Sequence, residues 1–84
     1  MYTVYVIRSK ITGRYYIGHT ENFDSRLARH NAGLVHSTRS GRPWDKVRTE
    51  DLPSRSQAYR REQEIKKYKG GILFKKLLGV WKDG

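Results

Sequence analysis

Tyr2-Thr3-Val4-Tyr5-Val6-Ile7 and, after Thr12-Gly13, Arg14-Tyr15-Tyr16-Ile17-Gly18-His19-Thr20 are the stretches whose reading decides the fold. Both are rich in β-branched and aromatic residues, which pack well on a pleated surface, and Thr12-Gly13 between them carries turn chemistry. The spacing predicts a β-hairpin. Side chains on a strand alternate between faces, so Tyr5 shares a face with Thr3 and Ile7, and Tyr16 shares one with Arg14 and Gly18. A register that brings those faces together lets the two phenols meet. Tyr2 and Tyr15 read as ordinary half-buried strand tyrosines. Gly18 removes bulk beside Tyr16, which suits a close approach by backbone or ligand.

The chain has 84 residues and no obvious linker, so residues 1–84 read as one small domain with one modest core. Its 18 basic against 8 acidic residues give a formal charge of +10, spread along the chain. A field of that sign attracts polyanions, with nucleic acid the first candidate. No segment pairs a long apolar face with a basic one, and no apolar run approaches transmembrane length, so a membrane is not expected as partner. Cysteine is absent. That excludes disulfides, a thiol nucleophile and zinc sites built on sulfur. The three histidines, His19, His30 and His36, share no metal-ligand spacing. With no signal peptide ahead of Tyr2, a cytoplasmic protein is expected.

Further along, Asn22 is placed to cap a helix from Phe23 to Asn31, closed by Gly33. At roughly 100° per residue, Phe23, Leu27 and His30 fall on one side with Arg26 beside them. Arg26 and His30 are therefore expected to flank the apolar stripe and reach the rim of the sheet. The plain alternatives are a snorkelling arginine stem and a histidine favoured by the helix-end dipole. Leu34 to Arg42 reads as a basic, hydroxyl-rich loop able to meet phosphate, or simply as a solvated one. Pro43 opens a short strand, Trp44 to Thr49, for which Trp44 and Val47 are the candidate buried contacts, and Glu50-Asp51 ends it. Ser54 with Gln57 is a capping-box pattern for a helix reaching about Lys69. Ala58, Glu62 and Ile65 share its buried stripe. A lone carboxylate there has to be paired, protonated or metal-bound, and Lys66 one turn on is the plain partner. A last helix, Ile72 to Leu78, offers Ile72, Leu73, Phe74, Leu77 and Leu78 to the core. Val80-Trp81 is expected to fold back and Lys82 to Gly84 to fray. The class is α+β, a three-stranded, mostly antiparallel sheet covered by helices in the order β-β-α-β-α-α.

These residues together resemble the GIY-YIG nuclease superfamily, in its small stand-alone single-domain branch, over nearly the whole chain. The likeness rests on Val4-Tyr5-Val6 and Tyr16-Ile17-Gly18 for the two half-motifs, Arg26 and His30, then Thr38, Arg42-Pro43 and Ala58 with Glu62, Ile65 and Lys66. The resemblance implies divalent-metal-dependent hydrolysis of DNA phosphodiesters by an endonuclease acting in DNA repair or processing. It assigns catalytic positions to Tyr5, Tyr16, Arg26 and His30, with Glu62 as the ligand of one Mg²⁺ or Mn²⁺. His19, Thr38, Arg39, Arg42 and Lys66 are read as nucleic-acid contacts. DNA is the expected partner, RNA is possible, and a protein supplying specificity is left open. Two departures stand out: the first half-motif lacks its glycine, and no asparagine follows Glu62 in the segment Lys69 to Lys75.

The chemistry asks for these residue types. A hard divalent cation takes oxygen ligands and keeps several waters, so one carboxylate suffices with substrate phosphate. Arg26 offers a planar, permanently charged fork to phosphoryl oxygens. A phenol with an ordinary pKa of about 10 needs nearby positive charge to act as a base. Tyr5 is read as the acceptor of the water proton, Tyr16 as its positioning partner, and His30 as suited to shuttle a proton or bind phosphate. Two readings from other classes stay beside the enzyme: a nucleic-acid-binding module with an idle site, and a structural or ribosome-associated protein in which Glu62 pairs with Lys66.

Overall fold

The computed structural model describes residues 1–79. The elements are β1 (Tyr2–Ser9), β2 (Tyr15–Thr20), α1 (Phe23–Asn31), a 3-10 turn (His36–Gly41), β3 (Trp44–Leu52), α2 (Arg55–Lys67) and α3 (Ile72–Leu77). The α+β class and the β-β-α-β-α-α order are as the sequence predicts. β1 lies in the centre, in the order β2-β1-β3, and both of its pairings are antiparallel.

The central strand is buried on both faces, which is why Val4 to Ile7 form an unbroken buried run. Val4 and Val6 point one way and pack with Ala58 and Ile65 of α2 and Phe74 of α3. Tyr5 and Ile7 point the other way and pack with Trp44, Tyr16, and Phe23 and Leu27 of α1. So α1 covers one face while α2 and α3 cover the other. The caps follow the sequence: Asn22 accepts from the Ser25 amide at 3.1 Å, and Ser54 from that of Gln57 at 3.2 Å. Gly33 closes α1 with a φ of 78°, in the left-handed region that glycine adopts without steric cost.

Several expectations are corrected. β3 does not stop at Glu50-Asp51 but runs to Leu52, because Glu50 and Asp51 pair with Val4 and Thr3 and both side chains find partners. The Thr3 hydroxyl donates to Asp51 at 2.6 Å, while Arg61 of α2 donates to Glu50 at 2.8 Å. That guanidinium holds the Glu50 carboxyl below its usual range. Val47 is 37 % exposed, so Trp44 anchors the strand without it. α2 stops at Lys67, short of Lys69, whose φ of 50° takes the chain out of the helix. In α3, Phe74, Leu77 and Leu78 meet the core, but Ile72 and Leu73 are 53 % and 60 % exposed, since helical spacing turns them away from the Phe74 side. The segment Leu34 to Arg42 contains the 3-10 turn, pinned through its backbone while most of its side chains stay exposed: Ser9 donates to the Gly41 carbonyl at 2.6 Å, and the Trp44 indole to that of Thr38 at 2.8 Å. The expectations for Val80 to Gly84 lie outside the described residues. Among the described residues no helix is long and apolar enough to cross a membrane.

Candidate active site

Pairing sets the first half of the site. Tyr5 sits opposite Gly18 and Ile7 opposite Tyr16, so the two phenols lie on the α1 face with ring centroids 6.3 Å apart. A Cβ on residue 18 would stand 2.6 Å from the Tyr5 hydroxyl oxygen. The space that the missing side chain leaves is filled by the Tyr5 phenol itself, and Tyr5 is 3 % exposed. Tyr16 is half-buried.

α1 completes this half. Phe23 meets the Tyr5 ring at 5.4 Å, and His30 approaches both phenols. His30 does not reach the rim of the sheet as the helical spacing suggested. It is 1 % exposed, with Nε2 2.9 Å from the Tyr5 hydroxyl and Nδ1 2.7 Å from that of Thr38. Thr38 is likewise 1 % exposed. Its hydroxyl faces His30, not the solvent side on which a nucleic acid would lie. Burial, aided by the nearby Arg26 guanidinium, holds the His30 imidazole below its ordinary pKa, so it is neutral at pH 7. The helix-dipole reading, which needs an imidazolium, does not apply. Burial also pushes the Tyr5 phenol well up; Tyr16 and Glu62 add to this and Arg26 opposes it. A free Tyr5 phenolate at neutral pH, the form expected of an unaided base, is thereby disfavoured.

The second half lies on the α2 face. Glu62, at 7 % exposure, stands between Ala58 and Ile65 in the buried stripe. Lys66 reaches its Oε2 at 2.6 Å, the pairing the helix spacing suggests. Its Oε1 lies 2.6 Å from Nδ1 of His19, a partner the sequence reading assigned to nucleic acid instead. Strand parity could have found it. Gly18 points toward α1, so His19 must point toward α2.

The two halves meet on those consecutive residues of the edge strand. Gly18 lies beneath the Tyr5 hydroxyl on one face of the sheet and His19 holds Glu62 on the other. Arg26 lines an open polar cavity of about 370 Å³ here, with Tyr2, His19, Thr20, Glu21 and Arg55. A larger cavity of about 600 Å³ lies at the far end of the hairpin, around Arg8 to Gly13 and Asp45 to Val47, and contains none of the expected site residues. Arg39 and Arg42 are exposed and sit over Gly33 at the end of α1, apart from the phenols.

Among the described residues no three histidine, cysteine, aspartate or glutamate side chains gather into a cluster. A hard divalent cation does not require one. The Glu62 carboxylate, whose oxygens are now taken by His19 and Lys66, could hold one hard cation through Oε2 once Lys66, whose side chain is 46 % exposed, swings aside. The arrangement thus offers a phenol bonded to a neutral imidazole on one face of the sheet, a guanidinium lining an open cavity beside the edge strand, and a buried, paired carboxylate on the other face.

Comparison with known proteins agrees with this fold. Residues 1–75 match the family model described as the GIY-YIG catalytic domain. The chain is 41 % identical over 66 residues to UPF0213 protein SH2523 of Staphylococcus haemolyticus, covering 77 % of this chain and 79 % of that one. It is 43 % identical over 67 residues to UPF0213 protein VNG_2274C of Halobacterium salinarum, covering 79 % and 86 %. The solution NMR structure of the UPF0213 protein BH0048 from Bacillus halodurans superposes with a TM-score of 0.53 at 32 % identity, over all of this chain and 88 % of that one.

Proposed function

This chain belongs to the GIY-YIG catalytic domain family, and on that premise we propose that it is a divalent-metal-dependent endonuclease that hydrolyses DNA phosphodiesters in DNA repair or processing. The family implies a nuclease-type fold and a nucleic-acid substrate, and the excess of basic residues suits one.

The observation that carries the reading is the contact between Tyr5 and His30. A buried phenol is a poor base alone, but here its hydroxyl faces a neutral imidazole at 2.9 Å. As the attacking water closes on phosphorus, its proton passes to the Tyr5 oxygen while the Tyr5 proton passes to Nε2 of His30. Tyr5 ends neutral, and His30 becomes an imidazolium that burial and Arg26 disfavour, so it passes its proton on to solvent. Water oxygen forms the new bond to phosphorus, the bond to the leaving sugar oxygen breaks, and that oxygen takes a proton from solvent water, which the proton released by His30 makes good. Arg26 meets the non-bridging oxygens with a paired set of donors. Tyr16, half-exposed beside His30 with ring centroids 5.0 Å apart, orients the water or the phosphate. Glu62 would hold Mg²⁺ or Mn²⁺, which when bound draws charge from the phosphoryl oxygens.

Nicking of supercoiled plasmid in Mn²⁺ or Mg²⁺ tests this. Arg26→Ala and Glu62→Gln should each lower the rate by about 100- to 1000-fold, with circular dichroism and DNA binding retained. Full activity in either variant would reject the mechanism. One observation favours an idle nucleic-acid-binding module instead: both Glu62 oxygens are already engaged, by His19 and Lys66. Salt-sensitive DNA binding without turnover in any divalent ion, and no saturable Mn²⁺ heat that Glu62→Gln removes, would establish that alternative.

A further inference from the structure

We propose that Thr38 is a positioning residue that fixes His30 as its Nδ1–H tautomer, leaving Nε2 bare to take the Tyr5 proton. The role this gives Tyr5 rests on the nuclease reading above; the tautomer itself does not.

Counting protons among buried groups gives the assignment. Tyr5, His30 and Thr38 are all at most 3 % exposed and form a chain through the contacts at 2.9 Å and 2.7 Å. A neutral imidazole carries one N–H, so one of its nitrogens donates and the other accepts. If Nε2 carries the proton, it donates to Tyr5, and the Tyr5 O–H is left without a protein acceptor, since His30 is its sole hydrogen-bonding partner among the described residues. If Nδ1 carries it, every donor is matched. His30 Nδ1–H donates to Thr38, the Thr38 hydroxyl donates to the Val35 carbonyl at 3.4 Å, and the Tyr5 hydroxyl donates to Nε2. Buried donors are paired in folded proteins, so the second arrangement is selected.

Thr38 is held firmly enough to impose it. Its amide donates to Val35 at 3.2 Å, and its carbonyl accepts from the Trp44 indole at 2.8 Å. Trp44 is in turn locked to Asn31 by a reciprocal pair, amide to Oδ1 at 2.7 Å and Nδ2 to carbonyl at 3.2 Å. The 3-10 turn, the start of β3 and the end of α1 thus converge on one hydroxyl. A threonine brings a β-branched stem with few rotamers, which keeps that hydroxyl aimed.

Imidazole ¹⁵N NMR of the metal-free protein at pH 7.5 reads the tautomer directly. The expected result is a protonated Nδ1 and an unprotonated Nε2 at His30. Thr38→Val, of nearly the same shape, removes the acceptor of Nδ1–H and should shift part of the proton population to Nε2, and Thr38→Ser should leave it on Nδ1. If Thr38→Val does not fold, Thr38→Ala serves in its place. A wild-type His30 protonated at Nε2 overturns the proposal, and so does a hydroxyl-free variant that keeps the proton wholly on Nδ1. In the nicking assay the hydroxyl-free variant should lose about 10- to 100-fold in kcat with KM little changed, as outer partners of functional histidines do, while Thr38→Ser stays close to wild type. Absence of nicking in the wild type would count against the nuclease reading and leave the NMR result to decide the tautomer.

Discussion

The two faces of one three-stranded sheet are built on different principles. On the α2–α3 face Val4 and Val6 pack against Ala58, Ile65 and Phe74, a dry cluster whose only demand is volume. On the α1 face Tyr5 and Ile7 pack against Trp44, yet His30 and Thr38 are as deeply buried and are joined by hydrogen bonds. The first face supplies cohesion at little cost in specificity. The second carries polar groups whose burial is tolerable only when every partner is present, and so it fixes the position of atoms. Glu62 is the exception that links them, a carboxylate set in the dry face at its border with β2.

Substitutions can break or sharpen that contrast. The largest expected effect is on the dry face. Ile65→Ala removes a fully buried side chain and should cost about 2–5 kcal/mol in urea unfolding, with nicking per folded molecule unchanged. A loss of specific activity in the remaining folded protein would mean that the faces are not separable. Gly18→Ala tests the polar face by overpacking. The new Cβ would collide with a rigid ring pinned by Phe23 and His30, so about 1–3 kcal/mol should be lost. Here, unlike in Ile65→Ala, nicking should fall because Tyr5 is displaced. A variant with wild-type activity would show that Tyr5 need not lie where it does.

The smallest effect is a slope. The folded-state pKa of His30 is depressed below its ordinary 6.5, so its contribution to stability is complete above that pH. As pH falls below 6.5 the unfolded chain binds a proton that the native state refuses, and stability drops until the folded pKa is reached. One proton limits the slope to about 1.4 kcal/mol per pH unit. Urea unfolding between pH 7.5 and pH 5 should therefore show a steeper decline for wild type than for His30→Gln. Equal slopes would mean that the imidazole is protonated in place. Glu50, whose pKa is depressed by Arg61, adds its own loss at lower pH, in both proteins alike.

Much of the fold was legible because its signals are local. The hairpin follows from Thr12-Gly13 between β-branched runs, and two helix starts from Asn22 and Ser54. The polar groups Tyr5, Tyr16, Arg26, His30 and Glu62 are singled out by the family resemblance. Of these the structure brings Tyr5, Tyr16 and His30 into mutual contact and sets Glu62 on the opposite face of the sheet. Their pairings were less legible. His30 meets Thr38 across a turn whose 3-10 form depends on Ser9 and Trp44, residues distant in sequence, and hydroxyl-rich segments look alike whether tied down or solvated. Glu62 was given Lys66, a neighbour on its own helix, while His19 comes from another element and required the strand faces to be assigned first. Likewise the end of β3 was missed because Glu50 and Asp51 look like a stop until Arg61 and Thr3 are placed beside them.

Gly18 and His19 are neighbours that look in opposite directions, and the site depends on which looks where. Sliding β2 past β1 by a single residue would bring an imidazole under the Tyr5 ring and leave Glu62 facing a residue with no side chain. The Ser9 hydroxyl, which accepts from the amides of Ile11 and Thr12 while donating to Gly41, clamps the loop that prevents this slippage. A connection far from any reacting atom is thus the part that keeps the chemistry in phase.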